Sequence, residues 1–203
     1  MMTTNVTVRA AGMADLMARY YDRAKFLEYC KECPNYGNKW SCPPYDFDPE
    51  DILRRYKVVN VICVQVLYDE ATRAAMDTKE KVDAYTLASL DAVKQPMLPA
   101  LLAAECAFPG SMAFISGNCK VCPVCARETG EPCRHPDQMR YSLESLGFDV
   151  GGLTQDVLGI TIVWTPGQLP AYYTLVAGLA AGTAAPERVR EIIEQGLTDL
   201  PQP

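Results

Sequence analysis

Two tight groups of cysteines constrain this chain more than any other feature of its sequence. They hold seven of its nine cysteines, and the stretch between them has an ordinary core composition. The spacings are C-x2-C-x8-C and C-x2-C-x2-C-x7-C, and the members are Cys30, Cys33 and Cys42, then Cys119, Cys122, Cys125 and Cys133. Cysteines grouped in this way are typical of metal sites. We therefore expect two metal-binding loops, residues 30–47 and 118–135.

The second group supplies four thiolates within one loop. Its first three cysteines have the spacing of the first three ligands in a bacterial ferredoxin run, although its fourth lies further along the chain than in that run. This crowding suits a 4Fe-4S cluster, in which each iron takes one ligand. The first group has three cysteines. A cluster there would need a distant cysteine, a non-cysteine group, or an iron left open to water or substrate.

Cys63 and Cys106 lie outside the two groups, and either could supply a distant ligand. Cys63 lies in a run of β-branched residues, and Cys106 lies near the end of a segment rich in alanine and leucine. Free cysteine in such surroundings is usually a small buried hydrophobe, so we predict that both are buried. Asp46 and Asp48 could instead offer an oxygen ligand, although Asp48 is placed to cap a helix.

Zinc is the main alternative to an iron–sulfur cluster. Structural zinc sites favour two pairs of cysteines, or a pair with histidines, around one tetrahedral ion. This chain has one histidine, His135, which we expect to be a loop or capping residue beside Pro136. Disulfides are disfavoured, because the chain begins without the basic segment and apolar run of a secretory signal, and grouped cysteines in a cytoplasmic protein usually bind metal. We expect a cytoplasmic protein.

Aromatic and basic side chains beside the cysteines are candidates for contact with a cofactor. Tyr36 and Trp40 lie within the first group, and they could shield a cluster from water, stack on a ligand, or simply pack together. Arg134 directly follows the last cysteine of the second group. It could neutralise a negatively charged cluster or hold an anionic substrate, and Arg127 and Arg140 could share that role.

The segments around both cysteine groups resemble the family of predicted metal-binding proteins known as DUF2284. The residues that carry the resemblance are Cys30-Lys-Glu-Cys33-Pro-Asn-Tyr36-Gly37-Asn-Lys-Trp40-Ser41-Cys42-Pro43-Pro44, Asn118-Cys119-Lys-Val-Cys122-Pro-Val-Cys125, Pro132-Cys133-Arg134-His135-Pro136, Arg140-Tyr141-Ser142-Leu143-Glu144 and Gly147-Phe148-Asp149-Val150. The similar region covers about residues 28–165. The resemblance implies a metal or iron–sulfur protein in which all seven grouped cysteines act together as ligands.

Composition argues against several other classes of function. The net charge of −6 disfavours nucleic acid, because affinity for nucleic acid comes mainly from basic side chains that meet phosphate. The apolar run at residues 171–185 is shorter than the roughly 18 residues of a membrane span. The sequence also lacks a phosphate-binding glycine loop, a nucleophile elbow and a second histidine. As partners we expect a redox protein or a small-molecule substrate, and neither nucleic acid nor a membrane.

The order of predicted elements gives an α/β or α+β fold with a mixed sheet, in a single domain of residues 1–203. Helices are predicted over residues 13–27, 49–56, 78–106, 136–146 and 186–195, with Pro96 and Pro99 kinking or breaking the third. Residues 58–67 and 111–116 are predicted strands, and the first is expected to be buried on both faces. Residues 158–164 and 171–179 are predicted to form a hairpin around Pro166-Gly167-Gln168.

The predicted strands 58–67 and 111–116 flank a helix, as in a right-handed βαβ unit. They would run parallel, and the second cysteine loop would leave the carboxyl edge of the sheet. The short helix 49–56, antiparallel to the first strand, would bring the first loop to that edge. Neighbouring clusters would favour electron transfer, whereas one shared ligand set would favour a single site. We expect a soluble electron carrier with one or two 4Fe-4S clusters; a small redox enzyme with an open iron and a zinc-stabilised interaction module are the alternatives.

Overall fold

A four-stranded sheet organises residues 1–165 and 167–202, which a computed structural model describes. The strands are β1 (Met2–Gly12), β2 (Val58–Tyr68), β3 (Met112–Phe114) and β4 (Tyr172–Ala181), in the spatial order β1-β2-β4-β3. Each described pair of neighbours is antiparallel. The prediction of an α/β or α+β fold is confirmed, but the predicted mixed sheet is wrong because β4 lies between β2 and β3. Strand β1 was not predicted.

Eight α-helices lie within the described residues, none both long and apolar enough to cross a membrane. They are α1 (Met13–Tyr20), α2 (Arg23–Lys31), α3 (Pro49–Leu53), α4 (Glu70–Ala75), α5 (Lys79–Ala107), α6 (Leu143–Leu146), α7 (Val150–Leu153) and α8 (Pro186–Gly196). A 3₁₀ turn at Ala126–Thr129 and a π-helical turn at Thr154–Leu158 complete them. The helices that were predicted to begin at residues 49 and 186 are confirmed, as α3 and α8.

Strands β2 and β3 run in the same direction, because each is antiparallel to β4. The parallel direction that we predicted is therefore correct, but β4 separates the two strands. Strand β3 also ends early: Phe114 is level with Gly178 of β4, which is level with Val61 of β2. The chain thus leaves for the second cysteine loop beside the first half of β2, and not at its carboxyl end.

Both faces of the sheet are covered, as predicted for β2. Alternate residues of β2 enter two different cores: Ile62, Val64 and Val66 lie in the core shared with α5 and α8, whereas Val59, Val61 and Cys63 lie in the core shared with α1, α6 and α7. Cys119 packs against the first of these cores, and Tyr45, Phe47 and Tyr141 pack against the second. The cysteine loops therefore lie where the two cores meet, beside β3.

A kink or a break was predicted at Pro96 and Pro99, and helix α5 runs through both prolines without a break. Each interior proline removes a backbone hydrogen bond and costs about 3 kcal/mol. Val93, Met97 and Leu101 are buried on the same helix. Each large apolar side chain that is buried contributes about 1.5–3 kcal/mol, which is enough to offset the prolines.

Three further predictions are wrong, because the backbone forms hydrogen bonds with other segments than those that we expected. The predicted helix 13–27 is interrupted, because Asp22 N–H donates to the Gly147 carbonyl at 3.0 Å. Predicted helix 136–146 shrinks to α6, because the Tyr141 carbonyl accepts the Ile115 N–H at 2.8 Å and stays extended beside β3. Residues 158–164 form no strand among the described residues, since both sides of β4 are occupied. Pro166 of the predicted turn lies outside the described residues.

Candidate metal centre

The three cysteines of the first group line one cavity of about 180 Å³, here called the first cavity. Cys30 lies in the last turn of α2, and Cys33 and Cys42 follow in the loop. The remaining lining residues come from this loop and from two segments on either side of the second loop: Asn35, Tyr36, Pro43, Gly117, Asn118, Ser142, Glu144 and Ser145. The first cavity is therefore assembled from distant parts of the chain.

The four cysteines of the second group line another cavity, here called the second cavity. Trp40, Arg134 and His135 line it as well. Its volume is about 20 Å³, little more than the roughly 10–15 Å³ that one water-sized probe occupies. The residues that line the second cavity would therefore have to move to admit a group as large as a cluster.

The donor chemistry of both cavities suits soft metals. Thiolate ligands select zinc, copper(I) and iron–sulfur clusters over magnesium or calcium. The first cavity is roomy enough for a group larger than a single ion. In residues 1–165 and 167–202, no three or more Cys, His, Asp or Glu side chains converge closely enough to hold one metal ion.

Arg127 of the second loop fastens the first loop in place. Its guanidinium donates to the carbonyls of Lys39 at 2.9 Å, Cys42 at 2.6 Å and Pro44 at 2.5 Å. It also lies over the ring of Trp40, 4.9 Å from the centroid. Arg127 was predicted as a candidate for cofactor contact, but in the structure its hydrogen bonds join the two loops.

Ser41 separates the two cavities. Its hydroxyl accepts a hydrogen bond from the Cys119 N–H at 3.0 Å and lies 3.8 Å from the sulfur of Cys42. The Ser41 side chain is fully buried, at 0% exposure. Ser41 lines the second cavity and Cys42 lines the first. Ser41 therefore touches a residue of each cysteine group, so the two cavities are neighbours in the fold.

Tyr36, Trp40 and Arg134 lie beside the cavities. Tyr36 lines the first cavity. Trp40 belongs to the first loop but lines the second cavity, and its indole N–H donates to the Glu131 carbonyl at 3.0 Å. Arg134 lines the second cavity and donates to the Val124 carbonyl at 3.1 Å. Contact of these three side chains with a cofactor stays a prediction.

Arg140 and His135 have structural partners. The Arg140 guanidinium pairs with the Glu105 carboxylate at the end of α5, and each side chain is 15% exposed. The same carboxylate accepts the Ala113 N–H of β3, so the pair fastens the chain after the second loop to the sheet. The His135 carbonyl accepts the N–H of Met139 at 2.9 Å, which makes a turn.

The alternative ligands proposed from the sequence do not line the first cavity. Cys63 is buried in β2, as predicted, and burial raises the pKa of its thiol to about 12. Cys106 is exposed, so its predicted burial is wrong: it lies on the outward face of the last turn of α5. Asp48 caps α3, its carboxylate accepting the Glu50 N–H at 3.1 Å. Asp46 is exposed.

Burial sets the protonation of several thiols. It raises the pKa of Cys42 to about 11, against a smaller opposing effect of the hydrogen bond with Ser41. Burial, followed by the charges of Cys33 and Glu144, raises the pKa of Cys30, and burial also raises that of Cys119. Thiols must lose their protons when they bind a metal, so metal binding at these cysteines should depend on pH.

Glu144 is the functional candidate that sequence reasoning missed. It lines the first cavity, and its carboxylate Oε1 accepts the Gly117 N–H at 3.0 Å. Burial raises the pKa of this carboxyl, while hydrogen bonds and the charge of Lys94 lower it by less. Ser142 and Ser145 cap α6 reciprocally and fix the turn that carries Glu144. That capping pattern was the available signal, but it gives no tertiary position.

A third cavity, of about 190 Å³, adjoins the other two. It shares Asn118 with the first cavity and Val121 with the second. Lys94 and Lys120 line it, and Lys120 is paired with Asp91 at 2.5 Å. Burial lowers the pKa of Lys94, and the charge of Lys120 lowers it further.

Comparison with known proteins gives one family match. The model of a family described as a predicted metal-binding protein, DUF2284, matches residues 19–177, which include both cysteine groups and all of the residues that line the first cavity. No curated protein and no solved structure matches the chain.

Proposed function

Because this chain belongs to the DUF2284 family of predicted metal-binding proteins, we propose that it is an electron-transfer protein with an iron–sulfur cluster in each cysteine cavity. When bound, a 4Fe-4S cluster supplies one-electron redox chemistry. The chain itself supplies two thiol shells and fixes their separation. We expect the protein to act in the cytoplasm, where thiols remain reduced, and to exchange electrons with a partner protein.

The adjacency of the two thiol sets is the observation that carries this proposal. Two clusters at short separation would allow an electron to pass from one to the other within a single chain. Ser41 lies between the sets, within hydrogen-bonding reach of Cys119 and 3.8 Å from the sulfur of Cys42. This serine is fully buried, so its side chain does not contact bulk water.

The protein around the cavities supports the same function. Arg127 fixes the first loop on the second through three carbonyls, so the two thiol sets keep a constant separation. Trp40 covers part of the second cavity with an aromatic surface, and such shielding from solvent is one factor that sets a cluster's potential. Rigid loops also lower the reorganisation that accompanies each change of charge.

Metal and sulfide analysis of protein purified without oxygen tests the proposal. We expect brown protein with about eight irons and about eight sulfides per chain, since each cluster holds four of each. Reductive titration should give one-electron steps in the absence of any substrate. About four irons would mean that one cavity is filled. Colourless protein with stoichiometric zinc and no sulfide would overturn the proposal in favour of a zinc-stabilised interaction module.

A redox enzyme with an open iron is the second candidate, because the third cavity shares a lining residue with each cysteine cavity. Lys94 lines this cavity beside Lys120, whose charge is paired with Asp91, and a lysine ammonium can bind a small anionic substrate. Under this alternative, cyanide or a small thiol should change the spectrum of the first cluster and leave that of the second unchanged. A first cluster that is insensitive to both ligands favours the electron carrier.

A further inference from the structure

Glu144 is the acidic side chain among the residues that line the first cavity, where the sequence provides three cysteines. A 4Fe-4S cluster has four irons, so three thiolates leave one iron without a protein ligand. A carboxylate in the same cavity can fill that position, because ionised carboxylates are metal ligands as well as hydrogen-bond acceptors. The cavity thus contains three thiols and one carboxyl group.

Glu144 reaches the first cavity because the chain folds back toward β3 after the second cysteine loop. After β3 the chain passes through the second cysteine loop and comes back to Ile115, whose N–H donates to the Tyr141 carbonyl at 2.8 Å. The reciprocal cap of α6 then directs Glu144 toward Gly117, whose N–H donates to Oε1 at 3.0 Å. A carboxylate has about four lone-pair positions, so this hydrogen bond leaves acceptors available for a metal.

None of the four competing ligands proposed from the sequence lines the first cavity. Cys63 is packed in the core and Cys106 is exposed on α5. Asp48 caps α3 and pairs with Arg23 at 3.0 Å. Asp46 is exposed on the loop. Of the side chains considered, Glu144 is the one that the structure places beside Cys30, Cys33 and Cys42.

We propose that Glu144 is the fourth protein ligand of a cluster in the first cavity, bound to the iron that no cysteine reaches. This inference rests on the proposed function, since it requires a cluster there. A carboxylate oxygen is a harder ligand than a thiolate and holds iron less tightly. The first cluster is therefore the one that exchanges a ligand or loses an iron, and the second, with four thiolates, is not.

Glu144→Gln is the primary test, because the amide retains an oxygen that can accept the Gly117 N–H but carries no charge. The variant is loaded with iron and sulfide without oxygen, its fold is checked by circular dichroism, and its clusters are followed by Mössbauer and electron paramagnetic resonance spectroscopy. After mild oxidation we expect a 3Fe-4S signal, with a loss of about one iron per chain. Glu144→Cys should retain the four-iron form more firmly than the native protein.

Asp46→Asn is the matched control, since it removes a carboxylate from the first loop outside the cavity. It should behave as the native protein does. In the native protein itself, Mössbauer spectra should resolve one iron of the first cluster with a non-sulfur ligand, a measurement that needs no variant. Thiolate-like parameters at all four of its irons, or an unchanged spectrum in Glu144→Gln, overturn this inference alone. Native protein without iron or sulfide overturns the proposed function instead.

Discussion

The first and second cavities differ in how the chain builds them. The second takes its four thiols from one loop, within residues 119–133, so its ligand set is local in sequence. The first takes three thiols from residues 30–42 and a carboxylate from residue 144. Local ligand sets are visible in a sequence, whereas assembled ones depend on the tertiary fold. The comparison also predicts that a cluster in the first cavity depends on the second loop, because Arg127 of the second loop holds the first loop in place.

The largest expected effect comes from removing one thiol ligand from each cavity in turn. Cys42→Ser should destroy the first cluster and leave the second, so iron falls from about eight to about four per chain. Cys125→Ser should destroy the second cluster and also speed the loss of iron from the first, because the loop that carries Arg127 is then released. Iron analysis and the time course of bleaching measure both effects.

The same pair of variants can break the comparison. If each variant loses all of its iron at the same rate, the seven cysteines form one shared site, and the two cavities are not independent. If Cys125→Ser leaves the first cluster as stable as in the native protein, the two sites are separate, but the first cluster does not depend on the second loop.

Arg127→Ala should give the next largest effect, on stability. It removes three hydrogen bonds from a charged donor, each worth about 1.5–3 kcal/mol when well shielded. Since one of them is exposed, we expect a decrease of about 3 kcal/mol in the free energy of unfolding, measured by urea denaturation of the reduced, metal-free protein. Arg127→Lys should recover only part of the lost unfolding free energy, because lysine keeps the positive charge but its ammonium cannot form the forked contact.

Arg134→Ala is the matched control for Arg127→Ala. Arg134 lies in the same loop but is exposed and donates to one carbonyl, so its loss should change the unfolding free energy by less than about 0.5 kcal/mol. Equal losses in the two variants would show that Arg127 does not hold the first loop. Changes in the second loop would then not be expected to alter the stability of a cluster in the first cavity.

The difference between local and assembled features also explains how far the sequence could predict the fold. Asp48 at the N-cap, with Pro49 after it, predicted α3 because capping is local. The β-branched run from Val58 predicted a strand buried on both faces. Strand β1 was missed, although Val6 and Val8 alternate with polar residues, because its pairing with β2 joins residues about 60 positions apart.

The candidate site shows the same limit. The seven cysteines were found from their spacing alone. Glu144 was not found, because it reaches the first cavity only after the chain has returned to Ile115 and bonded to Gly117. Ser41 was likewise unremarkable in sequence, and its role as the contact between the cavities depends on the N–H of Cys119 from a loop far along the chain.

The smallest expected effects come from the two cysteines outside the groups, Cys63 and Cys106. Neither Cys63→Ala nor Cys106→Ala should change the iron content. Cys63→Ala should lower the free energy of unfolding by about 1 kcal/mol through a small core cavity, whereas Cys106 is exposed and its loss should cost less than about 0.5 kcal/mol.

In the folded protein at pH 8, iodoacetamide should label Cys106. Cys63 should resist until unfolding, because burial raises its pKa to about 12 and leaves roughly one thiolate in ten thousand. If Cys63→Ala or Cys106→Ala folds normally and yet loses the first cluster, a distant cysteine supplies the fourth ligand. The first cavity would then hold four thiolates like the second, Glu144 would lose its assignment, and the chemical difference between the two cavities would disappear.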